Sequence, residues 1–422
     1  MDAVIDDFNA EQVARAKLDA NYAPIEVEKV TISKIEQKLL IAIAGGNPPD
    51  LAGHYSFAVA AYADNGALTD LGPLLAQSGF DRARYIEHYI ELGEYRGKTW
   101  ALPLAPASTA LILNKRLFRE VGLDPERPPT TIEELDAYAE KLTKWEVTLP
   151  SGETLIRSGY LPEVPAAQKR LIQAGFLPGE PTWFLYGWGD FFGGRLIDGP
   201  ARISAADPAN IQAFEWVASY SKHLGVSVIK RFRSGFGNSS SPRSAFLSGK
   251  VAMTLQGVWM HNYIEKYAPG LQWAAAPFPY PAGRPDLAGT SHAEADVLMI
   301  PKGSPHLEEA FAFMQYVSTQ AALEKLCLAQ QKFTPLASVS DEFWRAHPNP
   351  YIRLFRELGM SKNAVAIPQT GIWNEYKREL DNGVDLIQNL KEAPAVALAE
   401  VQSKMQAALD RERNISARRA QK

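Results

Sequence analysis

Apolar residues recur every three or four positions in several segments of the chain, a spacing that predicts amphipathic helices. Such helices are predicted over residues 2–20, 33–44 and 58–65, over two segments between 306 and 330, and over 395–415. Short apolar runs between them predict strands at 25–32, 50–52 and 251–255. Because strands and helices alternate, we expect an α/β fold with a mainly parallel sheet covered by helices on both faces.

Local signals predict where two further helices begin. After a pair of prolines, Thr130 or Thr131 can cap a helix, and the glutamate three residues further on completes a capping box. Pro242 stands at the first position of another predicted helix, where its missing N–H costs nothing, and this helix is expected to end at Gly249. The stretch 231–244, rich in Ser, Gly and Arg, has the composition most typical of a loop.

The length and composition exclude several classes of protein. A chain of 422 residues with 46% hydrophobic content is too long for one compact core, so two lobes are expected. The formal net charge of -4 provides no positive field that would recruit nucleic acid or an anionic membrane. The single cysteine, Cys327, cannot form an internal disulfide, and its apolar helical context favours a buried thiol over a reactive one.

Catalytic and metal-binding motifs do not occur in the sequence. Neither H-E-x-x-H nor C-x-x-C is present, so a zinc site has no support, and no G-x-S-x-G marks a nucleophilic serine. The glycine-containing stretch 235–239 lacks the Gly-Lys-Ser/Thr and the preceding strand of a phosphate loop. We therefore expect no catalytic residue, no metal ion and no cofactor.

Several short segments each match a stretch of one known family, and they occur in the order and at the spacing found there, which chance would not produce. They are 45–50 (GGNPPD), 95–103 (YRGKTWALP), 113–118 (LNKRLF) with 122–123 (GL) and 129–135 (PTTIEEL), and 246–253 (FLSGKVAM) with Gly257 and Trp259. Together they resemble the family 1 extracellular solute-binding proteins, the group that includes maltose-binding protein. The resemblance covers nearly the whole chain.

The resemblance implies a two-lobe α/β fold of the periplasmic-binding-protein type (type II), with a hinge that the chain crosses more than once and an interlobe ligand cleft. By analogy, lobe one would comprise residues 1–106 and 259–318, and lobe two residues 107–258 and 319–395, followed by a C-terminal helix and tail at 396–422. The crossings are expected near 103–108 and 257–259.

The same resemblance implies the function of an extracytoplasmic solute-binding subunit of an ABC importer. Such a protein captures a sugar or polyol by closure of the lobes, performs no chemistry, and delivers the ligand to the transmembrane permease. We expect a monomer that binds no nucleic acid and works in the periplasm, or outside the cell in association with the membrane. Met1 is followed by Asp2, Asp6 and Asp7, which do not resemble an export signal. Members of the family begin with a strand before the first helix, here predicted at 2–20, so an export signal and an opening strand are expected to be encoded upstream.

Aromatic rings are the first candidates for a sugar site, because flat apolar faces pack against the C–H side of a pyranose. Trp259 matches a stacking position of the family, and Trp373 matches an aromatic residue of its C-terminal lobe. Glu180 begins a segment similar to the family's "E-P-Y" cleft loop, in which a threonine replaces the tyrosine. Trp183 or Trp188 would then supply the missing face.

Polar candidates lie at strand ends, where ligands of open α/β sheets bind. Asp50 begins the predicted strand at 50–52, and His54 and Tyr55 follow it, with a loop histidine and a packed ring as the alternative for these two. Ser108 and Thr109 follow the first crossing and are expected at the floor of the cleft. Glu294 lies in a segment, 291–296, that replaces the glycine-rich cleft strand usual in the family.

Two alternatives remain open at the level of the sequence. The same fold could bind a phosphorylated polyol such as a glycerol phosphodiester, provided that Arg231, Arg233 and Arg243 reach the cleft. A carbohydrate-active enzyme with an aromatic cleft would need two carboxylates that face one substrate, which a sequence does not reveal.

Overall fold

The computed structural model describes residues 1–33 and 35–420. Its helices are α1 (Asp2–Leu18), α2 (Ile35–Ala44), α3 (Val59–Asp64), α4 (Gly72–Gln77), α5 (Glu87–Glu91), α6 (Lys115–Glu120), α7 (Ile132–Leu142), α8 (Pro208–Leu224), α9 (Val226–Arg233), α10 (Met260–Tyr267), α11 (Leu307–Val317), α12 (Gln320–Gln330), α13 (Asp341–Ala346), α14 (Ile352–Gly359), α15 (Trp373–Gln388) and α16 (Pro394–Ala420).

The strands are β1 (Ala52–Tyr55), β2 (Glu94–Tyr95), β3 (Lys98–Thr99), β4 (Ala101–Asn114), β5 (Lys144–Thr148), β6 (Thr154–Ser158), β7 (Lys169–Gln173), β8 (Ile197–Asp198), β9 (Arg202–Ile203), β10 (Met253–Gly257), β11 (Trp273–Ala276), β12 (Ser291–Met299) and β13 (Ala364–Val365). Short 3-10 helices lie at Ser56–Ala58, Arg82–Arg84, Ala166–Gln168, Thr182–Phe192 and Pro285–Leu287.

The chain divides into two compact units. Unit 1 comprises Met1–Ala107, Ala293–Met360 and Ala366–Trp373, and unit 2 comprises Ser108–His292, Ser361–Val365 and Asn374–Lys422. The long strands β4 and β12 each carry the chain from one unit into the other, and the crossing within β4 falls in the segment 103–108.

These bounds differ from the lobe boundaries predicted at 258 and 318. Residues 259–292 belong to unit 2, because β11 pairs with β4 and places Trp273 opposite Asn114. Residues 319–360 belong to unit 1, where α12 packs against α1. The C-terminal helix α16 begins at Pro394 in unit 2, and the predicted tail at 421–422 lies outside the described residues.

Unit 1 is built around β1 and the helices that carry its core. β1 pairs antiparallel with β12, so that Tyr55 lies opposite Asp296. The apolar face of α1 packs on α11, with the rings of Phe8 and Phe313 5.1 Å apart. Cys327 lies in the same core with no exposed surface, and burial raises the pKa of its thiol. The prediction of a buried thiol is confirmed.

The strand predicted at 25–32 is wrong. The segment is irregular, and the side-chain amide of Asn9 donates to the Val27 carbonyl over 3.0 Å and accepts from the Val27 N–H over 2.9 Å. A side chain of α1 therefore satisfies backbone groups that a neighbouring strand would otherwise pair. The helix predicted at 33–44 is present from Ile35, and residue 34 lies outside the described residues.

Unit 2 contains β10 and β11, both of which run antiparallel to β4. Within this arrangement Gly257, at the end of β10, lies opposite Thr109. A second antiparallel sheet has the order β6-β5-β7. The expectation of a mainly parallel sheet is wrong for these pairs, and the β12–β13 pair is parallel.

The helix predicted at 242–249 is also wrong, because the segment forms successive turns. The N–H groups of Lys250 and Val251 both donate to the Ala245 carbonyl, over 2.9 and 3.0 Å, which folds the chain back instead of extending a helix. By contrast, α7 begins with the predicted capping box, in which Thr131 and Glu134 each bond to the other's backbone N–H.

Candidate ligand-binding site

Trp259 lies directly after β10, and its indole folds back over the end of that strand. A Cβ atom on Gly257 would lie 2.2 Å from the ring, so this close approach requires glycine. The indole Nε1 donates to Gln256 Oε1 over 3.1 Å, which fixes the orientation of the partly exposed ring.

A second tryptophan adjoins Trp259 from the 3-10 helix Thr182–Phe192. The ring centroid of Trp183 lies 4.7 Å from that of Trp259 and 4.4 Å from that of Phe184, on which it stacks at 29°. We call Trp183, Phe184 and Trp259 the aromatic shelf. Among the described residues, the buried Nε1 of Trp183 has no hydrogen-bond partner, so the shelf combines flat apolar faces with an unused donor.

His292 extends the shelf, and sequence reasoning missed it. Its ring lies 5.0 Å from Phe184 and 5.0 Å from Phe191. Its Nε2 lies 3.1 Å from Asp190 Oδ2 and 3.2 Å from the Gly187 carbonyl. The sequence carries no local signal for this pairing, because Asp190 lies 102 positions away and the strand around His292 also contains Ser291, Glu294 and Asp296.

Glu180 stands at the beginning of the loop that leads into the shelf. Its Oε1 accepts from Arg233 Nε over 2.7 Å. Burial raises the pKa of the Glu180 carboxyl, and Arg233 opposes that shift. Both side chains line a pocket of about 510 Å³ together with Lys230, Phe236 and Ser239. The pocket is thus flanked by two cations and one carboxylate.

Two of the predicted tryptophans lie in the interior instead of on an accessible surface. Trp188 is 1% exposed, packs on Trp216 and Phe278, and donates from Nε1 to the Pro178 carbonyl over 3.1 Å. Trp373 is also 1% exposed and begins α15. The sequence predicts that both rings contact the ligand, whereas both are packed in the interior.

Ser108 and Thr109 are buried at the point where β4 enters unit 2. The hydroxyl of Thr109 accepts from the His292 N–H over 3.0 Å, and Ser291 Oγ accepts from the Thr109 N–H over 2.9 Å. The Thr109 hydroxyl therefore already holds the backbone of His292.

In unit 1, Glu294 organises a polar corner with Ser56. Its Oε2 accepts from Ser56 Oγ over 2.5 Å, and its Oε1 accepts from the Ile367 N–H. Gln369 donates to the Ser56 carbonyl over 3.4 Å. Among the described residues, the buried Oε1 of Gln369 has no hydrogen-bond partner. Glu294 thus anchors the loop after residue 360 to β12.

The other candidates of unit 1 differ in exposure. Tyr55 is 54% exposed and stacks on Phe57 at 5.5 Å and 18°, so its ring is accessible. His54 is buried, its Nδ1 accepts from the Tyr55 N–H over 2.7 Å, and burial lowers its pKa. Asp50 accepts from Ser304 Oγ and lies 3.2 Å from His306 Nδ1.

The residues required by the alternative of a phosphorylated ligand are not assembled into a phosphate clamp. Arg231 and Arg243 are exposed, and Arg233 is paired with Glu180. In the described part of the chain, no group of three or more His, Cys, Asp or Glu side chains could hold a metal ion. Nor does any described helix have the length and apolar character needed to cross a bilayer.

Comparison with known proteins identifies the family. The profile of the family described as "Bacterial extracellular solute-binding protein" matches residues 3–350. A binding protein of Brucella abortus (strain 2308) is 24% identical over 240 residues, which cover 56% of this chain. The matched region spans about half, 50%, of the length of this curated relative.

Solved structures match over nearly the entire chain. CpMnBP1, solved with mannobiose bound, has a TM-score of 0.76 and 26% identity and covers 95% of each chain. UgpB from Mycobacterium tuberculosis, in complex with glycerophosphocholine, has a TM-score of 0.72, covers 97% of this chain and 95% of its own, and at 17% identity supports the fold alone. The α/β fold is that of the two-domain periplasmic solute-binding proteins, and the chain belongs to the bacterial extracellular solute-binding protein family.

Proposed function

We propose that this chain is the extracytoplasmic solute-binding subunit of an ABC importer and that it captures a sugar or polyol. The observation that carries the proposal is the aromatic shelf, where three rings adjoin an unpartnered indole N–H. Apolar faces for C–H groups combined with a few polar atoms for hydroxyls are what sugar recognition needs. The likeness to a mannobiose-bound protein supports the same ligand class.

The proposed protein binds without turnover. Glu180 is paired with Arg233, Asp190 lies 3.1 Å from His292 Nε2, and both carboxylate oxygens of Glu294 accept hydrogen bonds. Carboxylates held in this way suit positioning better than the paired acid and base of a glycosidase. We further propose that the protein acts as a monomer, in the periplasm or outside the cell, and that its partner is the transmembrane permease.

Titration of the purified chain with mannobiose, mannotriose, maltotetraose and glycerophosphocholine tests the proposal. A ligand that binds only the folded state raises the melting temperature as its concentration increases. At a hundredfold excess over Kd it adds about 2.7 kcal/mol to the free energy of unfolding. We expect such a shift with at least one of the sugars, matched by heat in a calorimetric titration, and recovery of the sugar unchanged by chromatography after prolonged incubation.

Two results would contradict the proposal. Cleaved or modified sugar in the recovered material would indicate an enzyme. A rise in melting temperature with glycerophosphocholine and none with the sugars would mean that the site binds phosphorylated polyols instead of sugars.

A further inference from the structure

His292 is a buried polar side chain beside the shelf, and its hydrogen bonding is incomplete in the described part of the chain. It is 8% exposed. Its Nε2 is engaged, with Asp190 Oδ2 at 3.1 Å and the Gly187 carbonyl at 3.2 Å. Its Nδ1 is buried and has no hydrogen-bond partner in the part of the chain that the structure describes. A buried polar atom without a partner in a native protein calls for a ligand, an ion or a water.

The partners of Nε2 determine which tautomer is present. A carboxylate and a carbonyl oxygen are both acceptors, so Nε2 carries the proton. In the neutral imidazole Nδ1 is then an acceptor with a free lone pair. The backbone at Gly187 lies close against the ring, since a Cβ atom there would lie 2.4 Å from Cε1 of the imidazole. The glycine therefore lets the 3-10 helix approach closely and present its carbonyl to Nε2.

The rings beside this acceptor are of the kind on which a sugar packs. The ring of His292 is 5.0 Å from that of Phe184, which stacks on Trp183 at 4.4 Å. The flat faces of Trp183 and Phe184 thus lie beside the lone pair of His292 Nδ1. Trp183 adds an Nε1–H donor that has no partner among the described residues. A hydroxyl group both donates and accepts, so a sugar can satisfy either atom.

We propose that His292, oriented by Asp190, is a specificity-determining ligand residue whose Nδ1 accepts a hydrogen bond from one hydroxyl group of the bound sugar. This inference rests on the proposed function and assigns a residue that reads the ligand. A ligand that places a hydrogen-bond acceptor or a methylene at that position is rejected, because the buried lone pair then has no donor.

The first test separates the two ring nitrogens. In His292→Gln the side-chain amide reaches the place of Nε2 and can still donate to Asp190, but nothing replaces Nδ1. In His292→Asn the shorter amide brings an oxygen near the place of Nδ1. We expect His292→Gln to raise the Kd for mannobiose about tenfold, the effect of about 1.4 kcal/mol, and His292→Asn to raise it less. His88→Gln is the matched control, since His88 Nε2 lies 2.9 Å from the Ala293 carbonyl in unit 1, and it should leave Kd unchanged.

The second test removes the hydroxyl from the ligand. In a series of monodeoxy mannobioses, one analogue should bind the wild-type chain about tenfold more weakly than mannobiose. The same analogue and mannobiose should bind His292→Gln equally well, because the acceptor is already absent. His292→Asn should again distinguish the two, which keeps the test decisive if His292→Gln does not fold.

The outcomes separate this inference from the proposed function. If the wild-type chain binds mannobiose and His292→Gln binds it equally well, or if every deoxy analogue loses the same factor with both proteins, His292 does not read the ligand. If the folded wild-type chain binds no sugar of the set, the proposed function is wrong and the inference with it. If His292→Gln had a lower melting temperature and an unchanged Kd, Nδ1 would bind an internal water instead of the ligand, and the inference would be wrong.

Discussion

Single residues without side chains create the shape of the candidate site. The indole of Trp259 lies over β10 only because position 257 lacks a Cβ atom, and the imidazole of His292 has the same relation to Gly187. An alanine at either position would place a methyl group within 2.2 to 2.4 Å of a ring atom, so the ring would have to move. The shape of the shelf therefore depends on two positions that carry no side chain.

At this scale the tryptophans divide into shelf and core. Trp259→Ala should raise the Kd for mannobiose tenfold to about a hundredfold, because an apolar face worth about 1–3 kcal/mol is lost, while the melting temperature changes little. Trp373→Ala should instead lower the free energy of unfolding by about 3–5 kcal/mol, since its ring is buried. Calorimetric titration and denaturant unfolding measure the two effects. A Trp373→Ala variant with normal stability and lost affinity would show that this ring contacts the ligand.

At the scale of elements, local capping explains why some helices begin where they do. In α7 the Thr131 hydroxyl accepts from the Glu134 N–H over 3.2 Å, and the Glu134 carboxylate accepts from the N–H groups of Thr130 and Thr131. These hydrogen bonds hold the pKa of the Glu134 carboxyl below its usual range. α12 is capped similarly by Thr319, whose hydroxyl accepts from the Ala322 N–H over 3.4 Å.

Thr131→Ala removes one half of this box and should destabilise the protein by about 1 kcal/mol, within the range of 0.5–2 found for helix caps. Denaturant unfolding measures the loss, and the Kd for mannobiose should stay unchanged. Thr131→Ser, which keeps the hydroxyl, is the control and should lose much less. Equal losses for both substitutions would mean that the methyl group, not the cap, carries the effect.

The elements also show how far a sequence determines the fold. The capping box and the two helices between residues 306 and 330 are each specified within a few residues, so the sequence predicts them. The strand predicted at 25–32 depends on a partner elsewhere, and the Asn9 side chain occupies its backbone groups instead. The helix predicted at 242–249 fails for a local reason, because the N–H groups of Lys250 and Val251 both donate to the Ala245 carbonyl and turn the chain back.

The candidate site follows the same division. Trp259 is expected from its match to a stacking position of the family, and Trp183, with Trp188 as the other choice, from the segment that begins at Glu180. Trp188 has the same residue type and a neighbouring position, yet it packs inside unit 2. His292 becomes recognisable only when Asp190, 102 positions away, is seen to bond its Nε2. Pairings at this separation are properties of the fold and have no local signature.

At the scale of the whole molecule, the chain passes between its two units several times. β4 crosses at 107/108, β12 crosses at 292/293, and the segment 361–374 passes back and forth again. Connections of this kind are typical of proteins that close around a ligand by bending at a few backbone positions. The predicted crossing near 257–259 is absent, because β10 and α10 both lie in unit 2.

We predict that mannobiose draws the two units together. A ligand shifts a conformational equilibrium only by as much as it binds one state better than the other. The Nε1–H of Trp183 and the Nδ1 of His292 both belong to unit 2 and can bind the sugar in either arrangement. The sugar therefore favours the closed arrangement by the contacts that unit 1 adds to it. Small-angle scattering should show a smaller radius of gyration at saturating mannobiose than without sugar. The double variant Trp183→Ala/Trp259→Ala, measured at the same sugar concentration, should keep the larger radius. If saturated and sugar-free wild-type chains gave identical profiles, the ligand would occupy a rigid site and the crossings would not act as a hinge.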